Sequence, residues 1–525
     1  MYKAINGIFI KMKTKKKRNK RLLFSRFTII ALSIILQAAL MWVLFYELAS
    51  KLWWSSIIGY ILMGAILAYI INRDNAAVYK LPWIVVCLLF PFAGCMCYLT
   101  FGNLKLSRKQ ARKYRAIYNE HHEEMYNQKE VLSALEESAP DKCGTFKYLR
   151  NATSLPVYND SRVTYLKTGE EYFGQLCKQL LKAEKYIFLE YFIIEEGAMW
   201  NGIHEILLKK IASGVNVYLM YDDVGSVFKV SSGFYKKLRA EGIDARKFNK
   251  FVPIVSICHN NRDHRKIAVI DGKVAFTGGV NIADEYINVT HPYGRWLDSG
   301  IMVEGTAADS FVRLFIQLFN MSGKELKEDD FICSSHEKFD GNGFVMPFGD
   351  SPAPITYEHI SEKTFMNAIY GAKKYIYFAA PYFIVDNDIS DALINAARRG
   401  VDVRLIIPQK PDKKTVYVLT RYGCSRLLEA GVKIYFYRDG FVHSKTMVCD
   451  DEIAFSGTVN LDFRSFVHHF ECGAVFTCKD AISVIYNDFC TLFKEQCVAA
   501  DKKSLKLNPF ETVIKYLMTP FAPLV

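Results

Sequence analysis

Residues 264–281 read His-Arg-Lys-Ile-Ala-Val-Ile-Asp-Gly-Lys-Val-Ala-Phe-Thr-Gly-Gly-Val-Asn, and residues 443–460 read His-Ser-Lys-Thr-Met-Val-Cys-Asp-Asp-Glu-Ile-Ala-Phe-Ser-Gly-Thr-Val-Asn. The second stretch keeps five residue types of the first at the same spacing: His264, Lys266, Asp271, Gly278 and Asn281, then His443, Lys445, Asp450, Gly457 and Asn460. At about 5% usage per residue type, a five-position pattern arises by chance roughly once in three million windows. Two copies with one spacing mark an internal repeat.

Each copy predicts a hairpin. His-x-Lys followed by apolar residues reads as a strand, whose period-2 alternation puts His and Lys on one face. Asp271-Gly272 or Asp450-Asp451 supplies the turn, and 274–277 or 453–456 the second strand. Each copy then offers an imidazole, an ammonium and a neutral amide on one surface. A lone histidine in such a strand reads more simply as a satisfied core residue. Two copies together supply what phosphodiester exchange requires: a neutral imidazole to attack phosphorus and a protonated one to release the alkoxide. Two Lys and two Asn can hold the charge that builds on the non-bridging oxygens.

The repeat runs beyond the motifs. Lys185-Tyr186-Ile187 matches Lys374-Tyr375-Ile376, Gly214-Val215-Asn216-Val217 echoes Gly400-Val401-Asp402-Val403, and Glu241-Gly242-Ile243 echoes Ala430-Gly431-Val432. The expected fold class is therefore α/β, a sandwich built twice with one active site between the halves.

In these residues the chain resembles the phospholipase D superfamily and, within it, the bacterial cardiolipin synthases. The likeness also rests on Phe276-Thr277-Gly278-Gly279 leading to Ala283-Asp284-Glu285-Tyr286, on Asn460-Leu461-Asp462 with Arg464-Ser465, and on Pro381-Tyr382-Phe383. There are two departures: Leu297 stands where the family's Trp-Lys-Asp phrase has Lys, and the stretch from Asn249 to Asp263 is long. The resemblance implies transfer of a phosphatidyl group from one phosphatidylglycerol to another through a phosphohistidine. By analogy His264 is the nucleophile and His443 the general acid and later base. An acidic partner for each imidazole is carried over to Asp298, 34 residues after His264, and Glu471, 28 after His443. Asp271 and Asp450 belong to the signature, although a turn position favours a structural role. No cofactor or metal site is expected.

The N-terminal part bears on where the substrate lies. Residues 27–46, 52–71 and 81–101 are without a charge and each about 20 residues long, enough for a hydrocarbon layer of about 30 Å. They read as two or three transmembrane helices. Residues 1–26 carry ten Lys or Arg and 105–115 six more, so the positive-inside rule wants both flanks in the cytoplasm. Three full spans cannot satisfy both, and the third, with Pro82, Pro91 and Gly94, suits a re-entrant or interfacial segment. The expected localisation is the cell membrane, multi-pass, with the catalytic halves in the cytoplasm.

The expected organisation is a basic tail (1–26), membrane segments (27–101), a helical linker (102–155), a first half (156–345), a second half (346–500) and a C-terminal segment (501–525) that lies on the bilayer or packs as a helix. Of the net charge of +13, ten units lie in the tail, leaving +3 over the remaining 499 residues. The body is thus not a basic nucleic-acid binder, and the tail suits anionic headgroups. The expected partners are phosphatidylglycerol and the bilayer, with no nucleic acid. Thirteen scattered Cys without paired spacing suit reduced thiols. A phospholipase D-type hydrolase or another phosphatidyltransferase shares every catalytic residue, so the acceptor stays open; a non-catalytic lipid-binding scaffold would require a decayed motif, and neither copy has decayed.

Overall fold

In the computed structural model the described residues are 53–73, 77–102, 112–114, 128–249, 261–339, 343–353, 355–356 and 358–524, with Ala39 and Val43. Two sheets with matching strand order carry the repeat. The first runs Arg162–Leu166, Gly300–Glu304, Val274–Gly278, Lys266–Ile270, Tyr186–Tyr191, Asn216–Asp222 and Asp244–Phe248. The second runs Val345–Asp350, Glu471–Phe476, Ile453–Gly457, Thr446–Cys449, Tyr375–Ala379, Asp402–Pro408 and Lys433–Tyr437, then adds Cys497–Ala499 at its edge. In both, three parallel strands meet the antiparallel motif hairpin.

The innermost parallel strands, Tyr186–Tyr191 and Tyr375–Ala379, are buried along their whole length because helices cover them. Ala308–Phe319 is the most deeply set helix, with ten of its twelve residues buried. Phe315 of this helix stacks on Phe188 of the first sheet at 4.2 Å, and one apolar cluster includes both with Phe348, Ile376 and Phe455 of the second half. The halves therefore share a core rather than touching as finished domains. The linker joins this core too. Its helices Lys129–Ser138 and Pro140–Thr153 place Leu135, Phe146 and Leu149 in the same cluster, and Lys142 Nζ donates to Gly371 O of the second half at 3.0 Å.

The motif hairpins explain two signature positions. Asp271 and Gly272 have φ of 55° and 68°, Asp450 and Asp451 of 57° and 61°, the paired left-handed conformation of a type I′ turn. Gly278 lies opposite Gly300, and Gly457 opposite Gly473. A Cβ on Gly278 or Gly457 would overlap the backbone of the facing strand, so the signature glycine permits a close crossing of strands.

The histidines depart from the expected alternation. The regular strands begin at Lys266 and Thr446, after each histidine. The chain just before each strand leaves its own sheet to pair with the other half: Asp263 bridges Phe470, and Gly440–Val442 runs parallel to Arg295–Leu297.

At the N-terminus, Trp53–Ile71 is one helix, as expected for 52–71. The stretch 81–101 is not a single span. It falls into Ala77–Leu89 and Pro91–Phe101, broken at Phe90, where the ring of Pro91 fits the first position of a new helix. At 1.5 Å per residue these pieces reach only about 20 and 17 Å. The three helices pack around Ile66, Ile70, Cys87, Cys95 and Tyr98. Among the described residues no helix is long and apolar enough to cross a membrane. The expected segment 27–46, apart from Ala39 and Val43, and the basic tail lie outside the described residues, as do 115–127 of the linker and 250–260 of the long stretch before His264.

Candidate active site

Backbone bonds across the halves set both histidines. His264 N–H donates to Phe470 O at 3.0 Å, and His443 N–H to Leu297 O at 2.7 Å. Two buried arginines flank the first. Arg262 forms a bidentate pair with Asp222 of the neighbouring parallel strand, and Arg265 donates to Leu314 O at 2.9 Å on the central helix. A planar guanidinium with fixed donors suits such anchoring.

The imidazole partners are exchanged between the halves. His264 Nδ1 lies 2.9 Å from both carboxylate oxygens of Glu471, and His443 Nδ1 lies 2.6 Å from Asp298 Oδ2. Each carboxylate thus serves the histidine of the other repeat. Since an ionised carboxylate only accepts, both Nδ1 atoms carry the proton, which leaves Nε2 with a lone pair. Thr458 Oγ1 donates to Glu471, and Ser299 N–H donates to Asp298 at 2.9 Å. Gly279, the counterpart of Thr458, is small for a reason: a Cβ there would overlap Asp298.

Both signature lysines are buried here. Lys266 Nζ donates to His264 O at 2.7 Å and Lys445 Nζ donates to His443 O. Lys445 Nζ also lies 2.9 Å from His443 Nδ1, but that nitrogen's proton is committed to Asp298. Burial lowers Lys266 to about 8 and Lys445 to about 7, against the raising effect of Asp298 and Glu471. His264 is held well below its usual value by burial and then by the charges of Lys266 and Lys445. His443 is lowered to about 4 by burial, by Lys445 and, more weakly, by Lys266, with Asp298 pulling it back up. Each histidine therefore feels the lysine of the other half, which places both motifs around one site.

Asp271 and Asp450 are not brought to the imidazoles. The Asp271 carboxylate accepts the backbone N–H groups of Glu184, Lys185 and Tyr186 at 2.7–2.8 Å. The Asp450 carboxylate accepts those of Lys373, Lys374 and Tyr375 at 2.7–2.8 Å. Each sits at the far end of its strand and holds the start of the neighbouring one. Grouped by the signature with the catalytic residues, both have their lone pairs committed there, away from the imidazoles. Asn281 links Ile193 N–H to its Oδ1 at 3.0 Å and donates to the Tyr286 hydroxyl at 2.7 Å. Asn460 is buried with its Oδ1 unpartnered among the described residues, and its backbone N–H donates to Ser465 Oγ at 3.1 Å.

Sequence reasoning missed His469. Its ring lies 5.2 Å from that of His264, and its Nδ1 is 3.5 Å from Glu471 Oε1. The signal was available, since a residue two before Glu471 on an extended segment shares its face. Thr458 was also missed, although aligning the two copies sets it against Gly279. His264, His469 and Glu471 bring ligand atoms within 4.8 Å of one another. Lys266, Lys445 and Arg464 all act on His264 as positive charges, surroundings that suit an anion and oppose a dication.

Residues 176–315 and 365–493 match the family model described as "Cardiolipin synthase, PLD-like domain", and residues 61–103 match one described as "Phospholipase_D-nuclease N-terminal". A cardiolipin synthase of Geobacillus kaustophilus is 35% identical over 85% of this chain and 89% of its own length. An uncharacterized protein of Streptococcus mutans is 39% identical over 83% of this chain and 94% of its own. In fold, the chain is similar to the crystal structure of a phosphatidylserine synthase of Haemophilus influenzae, with a TM-score of 0.55 and 14% identity over 72% of this chain and 97% of that one. With both repeats matched and relatives this similar over most of their length, the chain belongs to the cardiolipin synthase family with paired phospholipase D-like domains.

Proposed function

We propose that the protein makes cardiolipin from two molecules of phosphatidylglycerol. The observation that carries this reading is the crossed pair, His264 with Glu471 and His443 with Asp298, at a site with two buried lysines. His264 Nε2 attacks the phosphorus of one phosphatidylglycerol. The bond to the glycerol oxygen breaks, and His443 gives that oxygen a proton. The phosphatidyl-histidine is then attacked by a hydroxyl of a second phosphatidylglycerol, whose proton returns to His443. The products are cardiolipin and glycerol, with His264 free again.

The partners support these roles. Glu471 accepts from His264 with both oxygens and is itself held by Thr458, which aims the lone pair of His264. Asp298 is the carboxylate partner of His443 and raises its affinity for a proton, as a general acid requires. The anionic phosphodiester raises it further when bound. Lys266, Lys445, Asn281 and Asn460 stabilise charge on the non-bridging oxygens.

We place the substrate in a bilayer. Residues 27–46, 52–71 and 81–101 serve as membrane segments, the last as a broken, re-entrant or interfacial one; the basic tail meets anionic headgroups, and the catalytic halves face the cytoplasm. The apolar composition and the basic flanks support this reading. Incubating the purified full chain with phosphatidylglycerol tests the function: cardiolipin and glycerol should form in equal amounts. Phosphatidic acid as the main product would make it a hydrolase. Protease digestion in sealed inverted membranes should remove a C-terminal tag; a protected tag would contradict the topology.

A further inference from the structure

The helix Pro509–Met518 is oriented the opposite way from a surface helix in water. Its polar side faces the protein: Glu511 Oε1 accepts from Arg421 at 2.8 Å, and Lys515 Nζ sits 4.4 Å above the ring of Tyr422. Phe510, Val513 and Leu517, one stripe at helical spacing, point outward with Tyr516 beside them. Phe510 is 74% exposed and Leu517 66%, and the helix buries none of its own residues. It is nevertheless firmly ended, with a reciprocal cap between Asn508 and Glu511 and Pro509 in its first turn.

Two neighbours identify what covers this face. Lys502, Lys503 and Lys506 are exposed just before the helix, a cationic collar suited to anionic headgroups. Just after it, Ala522 packs against Tyr79 of the helix Ala77–Leu89, which exposes Leu81, Val85, Leu88 and Leu89. Tyr79 and Ala522 share their cluster with Ile384 and Phe463, the residue before Arg464 at the catalytic site.

We propose that the helix Pro509–Met518 lies in the bilayer surface with Phe510, Val513 and Leu517 among the acyl chains, and so holds the Arg464 side of the catalytic site at headgroup level. The inference deepens the lipid-substrate reading above and rests on it for its purpose, but contact with the bilayer is testable without turnover. The full chain carrying Leu517→benzoylphenylalanine, in vesicles of phosphatidylcholine and phosphatidylglycerol, should form photo-adducts with lipid. The same probe at Lys515, whose side chain faces the Tyr422 ring, should not. Adducts at 517 with a second copy of the chain, or none, would overturn the proposal. The combined variant Phe510→Ser, Val513→Ser and Leu517→Ser should turn over bilayer phosphatidylglycerol about five-fold or more slowly. It should leave turnover of dispersed short-chain phosphatidylglycerol unchanged. Equal rates on the bilayer substrate, or equal losses on both, would overturn it. Lipid adducts from a protein with no turnover would instead sink the function and leave the docking intact.

Discussion

His264 and Glu471 are separated by 207 residues of chain and 2.9 Å of space, and they come from opposite repeats. His443 and Asp298 make the reciprocal bond at 2.6 Å. The exchange means that neither repeat supplies the carboxylate partner of its own signature histidine. It also gives the shared core a functional reason, because a small relative shift of the sheets would break both bonds at once.

The crossing predicts which variants behave alike. Glu471→Gln should mimic damage to His264, and Asp298→Asn damage to His443, with kcat on phosphatidylglycerol lower by about 10²–10⁴-fold in each. A substrate whose leaving group departs as a stable anion separates them, since it needs no general acid. On phosphatidyl-p-nitrophenol, Asp298→Asn and His443→Ala should retain rapid nitrophenol release in a single turnover, whereas Glu471→Gln and His264→Ala should not. Release patterns that pair Asp298 with His264 would contradict the crossing.

The lysines predict the alkaline limb. Burial lowers Lys445 to about 7 and Lys266 to about 8, so their ammonium forms are present below those values and disappear as pH rises through them. A profile of kcat/KM against pH should therefore fall between about 7 and 8, well below the ordinary lysine range near 10.4. A profile flat to pH 10 would show that the charge on these lysines is not used.

For Asp271 and Asp450 the expected loss is stability rather than chemistry. Each carboxylate satisfies three backbone N–H groups, and Asp→Ala leaves them unpaired at a cost of about 2–4 kcal/mol. Asp271→Ala and Asp450→Ala should lower Tm, while the folded fraction at reduced temperature keeps near-normal turnover per molecule. A folded Asp450→Ala protein with wild-type Tm and no activity would restore a catalytic role.

Gly278 makes a sharper test of the fold. Any Cβ there overlaps the backbone at Gly300, so Gly278→Ala should fail to give soluble protein, and Gly457→Ala likewise against Gly473. A well-folded Gly278→Ala protein would contradict the close crossing.

Much of this was legible in the chain, and the rest has a physical reason for being hidden. The duplicated signature identified both lysines and both histidines, because a repeated chemical pattern survives as a linear pattern. The shared phrases around Tyr186 and Tyr375 identified corresponding strands for the same reason. The exchange of Glu471 and Asp298 left no linear trace: both acids fall within 34 residues of the histidine in their own repeat, and it takes the bridge from Asp263 to Phe470 and the pairing of Gly440–Val442 with Arg295–Leu297 to carry each across. The break at Phe90 was hinted at by Pro91 but not fixed by it, since proline also fits inside a first turn. His469 was overlooked because it has no counterpart in the first signature; near Asp298, the equivalent position is Trp296.

The central claim is that His264 carries the phosphatidyl group at a site completed by the other repeat. Rapid-quench labelling with radiolabelled phosphatidylglycerol, followed by alkaline peptide mapping, tests it directly. The label should appear on the peptide containing His264, be absent in His264→Ala, and form slowly in Glu471→Gln. Label on His443, or turnover with no labelled histidine, would contradict the account.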